Sequence, residues 1–233
     1  MRRLFAAMLA LLLLLGGCGM EEAAVPSPGS SLRISVVEEF RDFGSFTAGA
    51  PGDADGARLL VESVLAQYPP DFAAQWGSVE ILLVGGLTGT DAFAGGRYAG
   101  FTQQKDDGWL MVLDAGRCDA GTIHHEIAHI LDGILTEAGA LTEEAWMGFC
   151  PRGFQYGGGD WEACADFFAD DYAMTDIRED RARTFEEAAL LGPGVYADRP
   201  ALWLKLEYFC RAIREHFDTD GWQEKPFWEL ALE

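Results

Sequence analysis

The chain has 233 residues, of which 49% are hydrophobic, and its formal net charge at pH 7 is −21. This charge disfavours nucleic acids and anionic lipid surfaces as partners, because both are densely negative. A cationic substrate would be favoured, although a solvated acidic surface explains the charge equally well. We expect a monomer with no nucleic-acid partner.

The N-terminus is typical of an exported protein. Arg2 and Arg3 precede a wholly apolar run over residues 4–15, which fits a secretory signal and is too short for a comfortable membrane span. The next residues, Leu15-Gly-Gly-Cys18, resemble the lipobox of bacterial lipoproteins. We therefore predict a signal peptide over 1–17, lipidation of Cys18 and a membrane-anchored, extracytoplasmic location. The alternative is an ordinary signal peptide with an incidental cysteine.

Residues 18–31 contain little to bury and predict a flexible tether, which leaves residues 32–233 for one domain. Within that domain the apolar patterns predict strands over 32–37, 79–84 and 109–113. A helix is expected over 57–68, capped by Asp55 or Gly56, with Leu59, Leu60, Ser63 and Val64 on its buried side. Further helices are predicted over 162–168, 179–191 and 200–217.

The sequence His124-His-Glu-Ile-Ala-His129 contains the pattern H-E-x-x-H. On a helix, this spacing places His125 and His129 one turn apart on the same face, where both can bind one metal ion. Glu126 is then placed to take a proton from a water at that metal. The alternative is a core helix that happens to carry histidines, but three of the four histidines in the chain fall within these six residues. We expect the helix to end at Asp132-Gly133.

A catalytic zinc normally has three protein ligands, so a third must be found. Leu135 occupies the position where a metzincin would have its third histidine, which excludes that class. Glu162 stands in an E-x-x-x-D pattern with Asp166, as in thermolysin-like sites, and is one candidate. Asp132 is a weaker one. The residues by themselves leave this choice open.

The segment from Asp166 to Ala182 contains the pattern Y-A-x(5)-E-D-x-A, beginning at Tyr172. It resembles a gluzincin group of bacterial zinc metallopeptidases related to the catalytic domain of anthrax lethal factor. The resemblance covers about residues 110–190. It implies Zn²⁺ as the cofactor, Glu179 as the third ligand and Tyr172 beside the reacting carbonyl.

The same resemblance implies an α+β, zincin-like fold, in which a small mixed sheet and the active-site helix precede a mostly helical C-terminal part. It also implies that a strand before the helix, 109–113 or 79–84, offers its edge to an extended substrate. This chain departs from the pattern at Arg183, where many relatives have a glutamate. The departure leaves open which group orients His125 or His129, and the candidates are Asp166, Asp170 and Asp180.

The sequence thus favours a lipid-anchored zinc peptidase that cleaves a peptide or protein substrate outside the cell. Glu126 would act as general base and Tyr172 would stabilise the oxyanion. The alternatives are a non-catalytic surface lipoprotein that keeps the fold, and a purely structural metal site with a fourth protein ligand. Four further cysteines either form disulfides, in one of three pairings, or are small buried side chains: Cys118, Cys150, Cys164 and Cys210.

Overall fold

A computed structural model describes residues 31–90 and 95–233. The expected signal peptide, Cys18 and all of the tether except Ser31 lie outside the described residues. The described part combines a small mixed sheet with helices, which confirms the expected α+β class. No helix within it is long and apolar enough to cross a membrane.

The sheet contains six strands, built around the long strand β4. The strands are β1 (Leu32–Val36), β2 (Arg41–Asp42), β3 (Phe46–Gly49), β4 (Val79–Gly89), β5 (Gly100–Lys105) and β6 (Gly108–Asp114). Their order is β2-β3-β4-β6-β5, and β1 also pairs with β4. β4 is parallel to β1 and β6 and antiparallel to β3, while β5 returns antiparallel to β6.

The edge strand next to β6 is β5, a strand that the sequence did not predict. Residues 79–84 and 109–113 lie in β4 and β6, which have neighbours on both sides, so neither expected edge is correct. The sequence of β5, Gly-Phe-Thr-Gln-Gln-Lys, has a single large apolar residue and therefore lacks the alternation that marks a half-buried strand.

Within the described residues, six helices accompany the sheet: α1 (Ala54–Leu65), α2 (Ala120–Glu137), α3 (Glu143–Met147), α4 (Trp161–Cys164), α5 (Ile177–Leu191) and α6 (Pro200–His216). Short 3₁₀ turns lie between them and at the C-terminus. α4 is shorter than the expected helix over 162–168. α1 begins earlier than expected, because the carboxylate of Asp53 accepts the backbone N–H of Gly56 at 2.9 Å. Its buried face is Ala57, Val61 and Val64, whereas Leu59 is exposed.

The predicted end of the motif helix at Asp132-Gly133 is wrong, because α2 continues to Glu137. Gly133 remains helical under the indole ring of Trp109. A Cβ atom at Gly133 would lie 2.1 Å from that ring. The glycine therefore serves close packing between α2 and β6, and the packing outweighs its low helix propensity.

α2 lies between the sheet and the C-terminal helices. Its apolar residues Ile123, Ile127, Ile130 and Leu131 are fully buried, as the sequence pattern predicted. The core around them is rich in aromatic side chains, including Trp146, Phe185, Tyr196 and Trp228. The motif helix is thus fixed on several sides by apolar packing.

The four cysteines of the domain are free thiols. Cys150 and Cys210 are buried, and Cys118 and Cys164 are half-buried. Of the two expectations, the structure follows the one without disulfides.

A buried ion pair joins α6 to α5. The Nζ atom of Lys205 lies 2.7 Å from Oδ2 of Asp180, and both side chains are fully buried. The same oxygen accepts hydrogen bonds from the Trp146 indole and the Tyr156 hydroxyl, at 2.8 and 2.7 Å. Asp180 thereby anchors the first turn of α5.

We predict that Lys205→Met destabilises the protein by about 3–5 kcal/mol, because it leaves the Asp180 carboxylate buried without its cation. Urea denaturation followed by circular dichroism measures this. The matched control, Lys225→Met, removes a lysine from an exposed pair with Glu233 and should leave the midpoint unchanged. Equal midpoints for both variants would contradict the prediction.

Candidate metal centre

The two motif histidines face each other across one turn of α2. This helix begins at a capping box, in which Asp119 and Thr122 satisfy each other's backbone N–H groups. The Nε2 atoms of His125 and His129 lie 3.1 Å apart, and their rings are nearly perpendicular. The helix therefore places two imidazole donors at one point, as the spacing predicted.

Glu179 brings a carboxylate to the same point from the first turn of α5. Its Oε2 atom lies 3.0 Å from Nε2 of His125 and 3.5 Å from Nε2 of His129. Zinc bonds of about 2.0–2.2 Å in tetrahedral geometry place ligand atoms roughly 3.3 Å apart. Two imidazoles and a carboxylate at these separations fit a zinc ion.

The pKa values of His125 and Glu179 are shifted because the two side chains lie within hydrogen-bonding distance of each other. Burial alone would lower the pKa of His125, but hydrogen bonds to Glu179 and Glu186 outweigh it and raise that pKa to about 10. Burial alone would raise the pKa of Glu179, but hydrogen bonds from both histidines lower it well below its usual range. A metal ion bound by these atoms takes the place of the protons that they share.

Glu186 holds the other nitrogen of His125. Its Oε2 atom lies 3.1 Å from Nδ1 of His125. The guanidinium of Arg183 bonds to the same oxygen and also donates from Nε to Asp170 at 2.8 Å. A carboxylate on the outer nitrogen of a histidine ligand fixes the orientation of its ring.

Sequence reasoning missed Glu186, although a signal was present. Glu186 follows Glu179 by seven residues, which is two helical turns and therefore the same face of α5. Three aspartates were expected candidates for orienting a histidine ligand. Asp170 reaches the site only through its contact with Arg183, Asp166 is exposed, and Asp180 is paired with Lys205. Arg183 thus bonds to the carboxylate that holds His125. Although many relatives have a glutamate at position 183, His125 is oriented here by Glu186 instead.

Glu126 lies beside the histidines with its carboxylate buried. One of its oxygens, Oε2, has no hydrogen-bond partner within the described chain. Burial raises the pKa of Glu126, while the charges of His129 and His125 act in the opposite direction. A Cβ atom at Gly100 would come within 3.1 Å of the other oxygen, so the glycine in β5 leaves room for this carboxylate.

Tyr172 completes the group of predicted residues. It lines a cavity of about 240 Å³ together with His125, Glu126, His129 and Glu179. Its ring lies 6.3 Å from the ring of His125, centroid to centroid, and about half of the residue is exposed. Burial of the remainder and the nearby charge of Glu179 raise the pKa of Tyr172, so the phenol keeps its proton at neutral pH.

The two rival ligands lie elsewhere. Glu162 is exposed on α4 and does not join the two histidines. Asp132 is buried and accepts a hydrogen bond from the guanidinium of Arg181 at 2.6 Å. His124 is also buried, with its Nδ1 atom 2.8 Å from the hydroxyl of Tyr68.

No protein-family model matches the chain, and no curated protein matches it. A solved structure from Bacteroides caccae, described as a "putative zinc-binding metallo-peptidase", is similar with a TM-score of 0.39 and 18% sequence identity. The alignment covers 72% of this chain, which spans 63% of that structure.

We predict that the full-length protein binds about one zinc per chain, that Glu179→Ala loses it, and that Glu162→Ala keeps it. Only the first substitution removes a donor that lies within 3.5 Å of both histidines. Elemental analysis after dialysis measures the metal content. Zinc lost only with Glu162→Ala would move the site to the thermolysin-like arrangement.

We predict that Glu186→Gln lowers zinc affinity about 10- to 100-fold while the fold is retained, because His125 loses its charged partner. Competition with a fluorescent chelator measures the affinity. Glu187→Gln is the matched control, since Glu187 is the adjacent residue on α5 and faces Arg199. If both variants bound zinc as the parent does, Glu186 would have no role in the site.

Proposed function

We propose that the protein is a zinc-dependent peptidase, as the predicted site residues imply. The observation that carries this proposal is the convergence of His125, His129 and Glu179 beside the buried carboxylate of Glu126. Zinc in such a site lowers the pKa of water and polarises the scissile carbonyl. Side chains of the protein carry out the remaining steps.

Glu126 accepts the proton of the attacking water and later passes it to the leaving amine. Its unpartnered oxygen and its position next to His125 support this role. Tyr172, which keeps its phenolic proton, donates a hydrogen bond to the oxyanion of the tetrahedral intermediate. Glu186 keeps His125 in position throughout.

β5 is the element that receives the substrate. It is the last strand of the sheet, so one side of its backbone is free to pair with an extended peptide. Gly100, Phe101 and Thr102 line the metal cavity, so a peptide added to β5 would lie across the site. This arrangement supports a peptide or protein as the substrate.

We also propose that the mature protein is a monomer held at the cell surface, outside the cytoplasm, by a lipid on Cys18. The support is the N-terminal sequence, with its apolar run and Leu-Gly-Gly-Cys pattern. The high negative charge is consistent with the absence of a nucleic-acid partner.

The two rival functions have weaker support. The non-catalytic alternative was suggested by Arg183 and by the lipid tether, and the contact of Glu186 with His125 answers the first of these two arguments. A structural metal would need a fourth protein ligand, and in residues 31–90 and 95–233 the candidate group has three members.

We predict that Glu126→Gln keeps its zinc but loses peptide hydrolysis by at least about 10²- to 10⁴-fold, because the amide cannot accept the proton. Cleavage of a peptide library, followed by mass spectrometry, measures the activity, and metal analysis of the same samples confirms loading. Glu62→Gln on α1 is the control and should behave as the parent. A Glu126→Gln variant with parental activity would exclude this role.

A further inference from the structure

Two cavities meet at the metal centre and form one groove along β5. The first is the metal cavity, and the second has a volume of about 580 Å³. Thr102, His129 and Arg178 line both. The second cavity continues past Gln103 and Gln104 of β5, over a floor that includes Trp109. A peptide paired with β5 would run through both cavities.

Arg178 is the cation at the junction of the two cavities. Its backbone N–H is bonded to the carboxylate of Asp176 at 2.8 Å, but its guanidinium forms no hydrogen bond or ion pair within the described residues. The other arginines of α5 in this region differ. Arg181 is paired with Asp132, and Arg183 with Asp170 and Glu186. Arg178 thus keeps its donors available to the groove.

The position of Arg178 in its helix has no evident structural benefit. It is the second residue of α5, which spans Ile177–Leu191, and so lies at the positive end of the helix dipole. A cation there is disfavoured, because the exposed N–H groups attract anions. The N-cap carboxylate of Asp176 and the first-turn acids Glu179 and Asp180 supply the negative charge that this end of the helix favours. The positive charge at the junction of the two cavities therefore comes from the guanidinium of Arg178 itself.

Several acids also line the groove, and some of them are engaged by other groups. Asp132 is paired with Arg181, and Asp176 caps α5. Glu137 accepts a hydrogen bond from Gln104 at 3.4 Å and lies two turns of α2 beyond His129. Glu126 and Glu179 line the metal cavity itself, and Glu143, an exposed acid of α3, lines the second cavity. Arg178 is the cation at the junction whose guanidinium has no partner within the described residues, so a carboxylate of a bound peptide would bind there.

We propose that Arg178 binds a carboxylate of the substrate close to the scissile bond. The carboxylate belongs either to an acidic side chain or to the C-terminus of the peptide. A guanidinium is suited to this because its planar donors match both oxygens of a carboxylate. The inference rests on the proposed function and adds the substrate class to it.

The test uses paired peptide libraries. One library carries Glu and the other Gln at a fixed central position, and each is made with a free and an amidated C-terminus. Cleavage is measured with the zinc-loaded, detergent-solubilised full-length protein. Binding is measured with its Glu126→Gln variant. Arg178→Gln is introduced into both, and Arg152→Gln, which alters an exposed arginine outside the groove, is the control.

We expect the carboxylate form of one pair to be cleaved and bound about tenfold better than its amide form. A preference for Glu over Gln identifies an acidic side chain, and a preference for the free over the amidated terminus identifies the C-terminus. Arg178→Gln should reduce the ratio to about one with zinc retained, whereas Arg152→Gln should leave it unchanged.

Other outcomes overturn the proposal. These are the absence of any carboxylate preference, a preference that survives Arg178→Gln, and an equal loss for all peptides, which would place Arg178 in oxyanion stabilisation. The two proposals remain distinguishable. A carboxylate preference in binding without cleavage by the parent supports the role of Arg178 and contradicts the peptidase function, whereas cleavage without such a preference does the reverse.

Discussion

The buried ion pair between Arg181 and Asp132 is the contact on which the geometry of the site depends. Asp132 follows His129 by three residues on α2, and Arg181 follows Glu179 by two on α5. Their atoms approach to 2.6 Å, and both side chains are almost fully buried. Such a pair is stable only at close range, because each charge has lost its water. It therefore fixes the two ligand-bearing helices against each other beside the ligands.

Three consecutive residues of α5 make three different contacts that hold this site in place. Glu179 faces the histidines, Asp180 binds Lys205 on α6, and Arg181 binds α2. The carboxylate that would bind metal thus belongs to a turn that is anchored on two sides. This rigidity is what a preorganised metal site requires, since a small displacement of one donor weakens the whole set. It also explains why a strongly acidic chain places buried cations here.

The edge strand serves the site in two ways. Gly100 leaves space for the carboxylate of Glu126, and the hydroxyl of Thr102 donates to the backbone carbonyl of Glu126 at 3.2 Å. The strand that is free to pair with a peptide is therefore also in contact with the residue proposed as general base. In the proposed function, the position of the substrate and that of the base would depend on the same element, which favours a reproducible distance between them.

The sequence alone determined what depends on local spacing. The four-residue interval of His125 and His129, and the apolar stripe behind them, follow from the helical period. Glu179 lies fifty residues beyond His129, so only the resemblance to a family indicated it. The packing of helices and strands against one another determined the other features of the site. The partner of His125 proved to be Glu186, and the edge strand is a polar segment whose role comes from its place in the sheet. These features depend on which helices and strands become neighbours, and that is set by burial across the whole chain rather than by any local pattern.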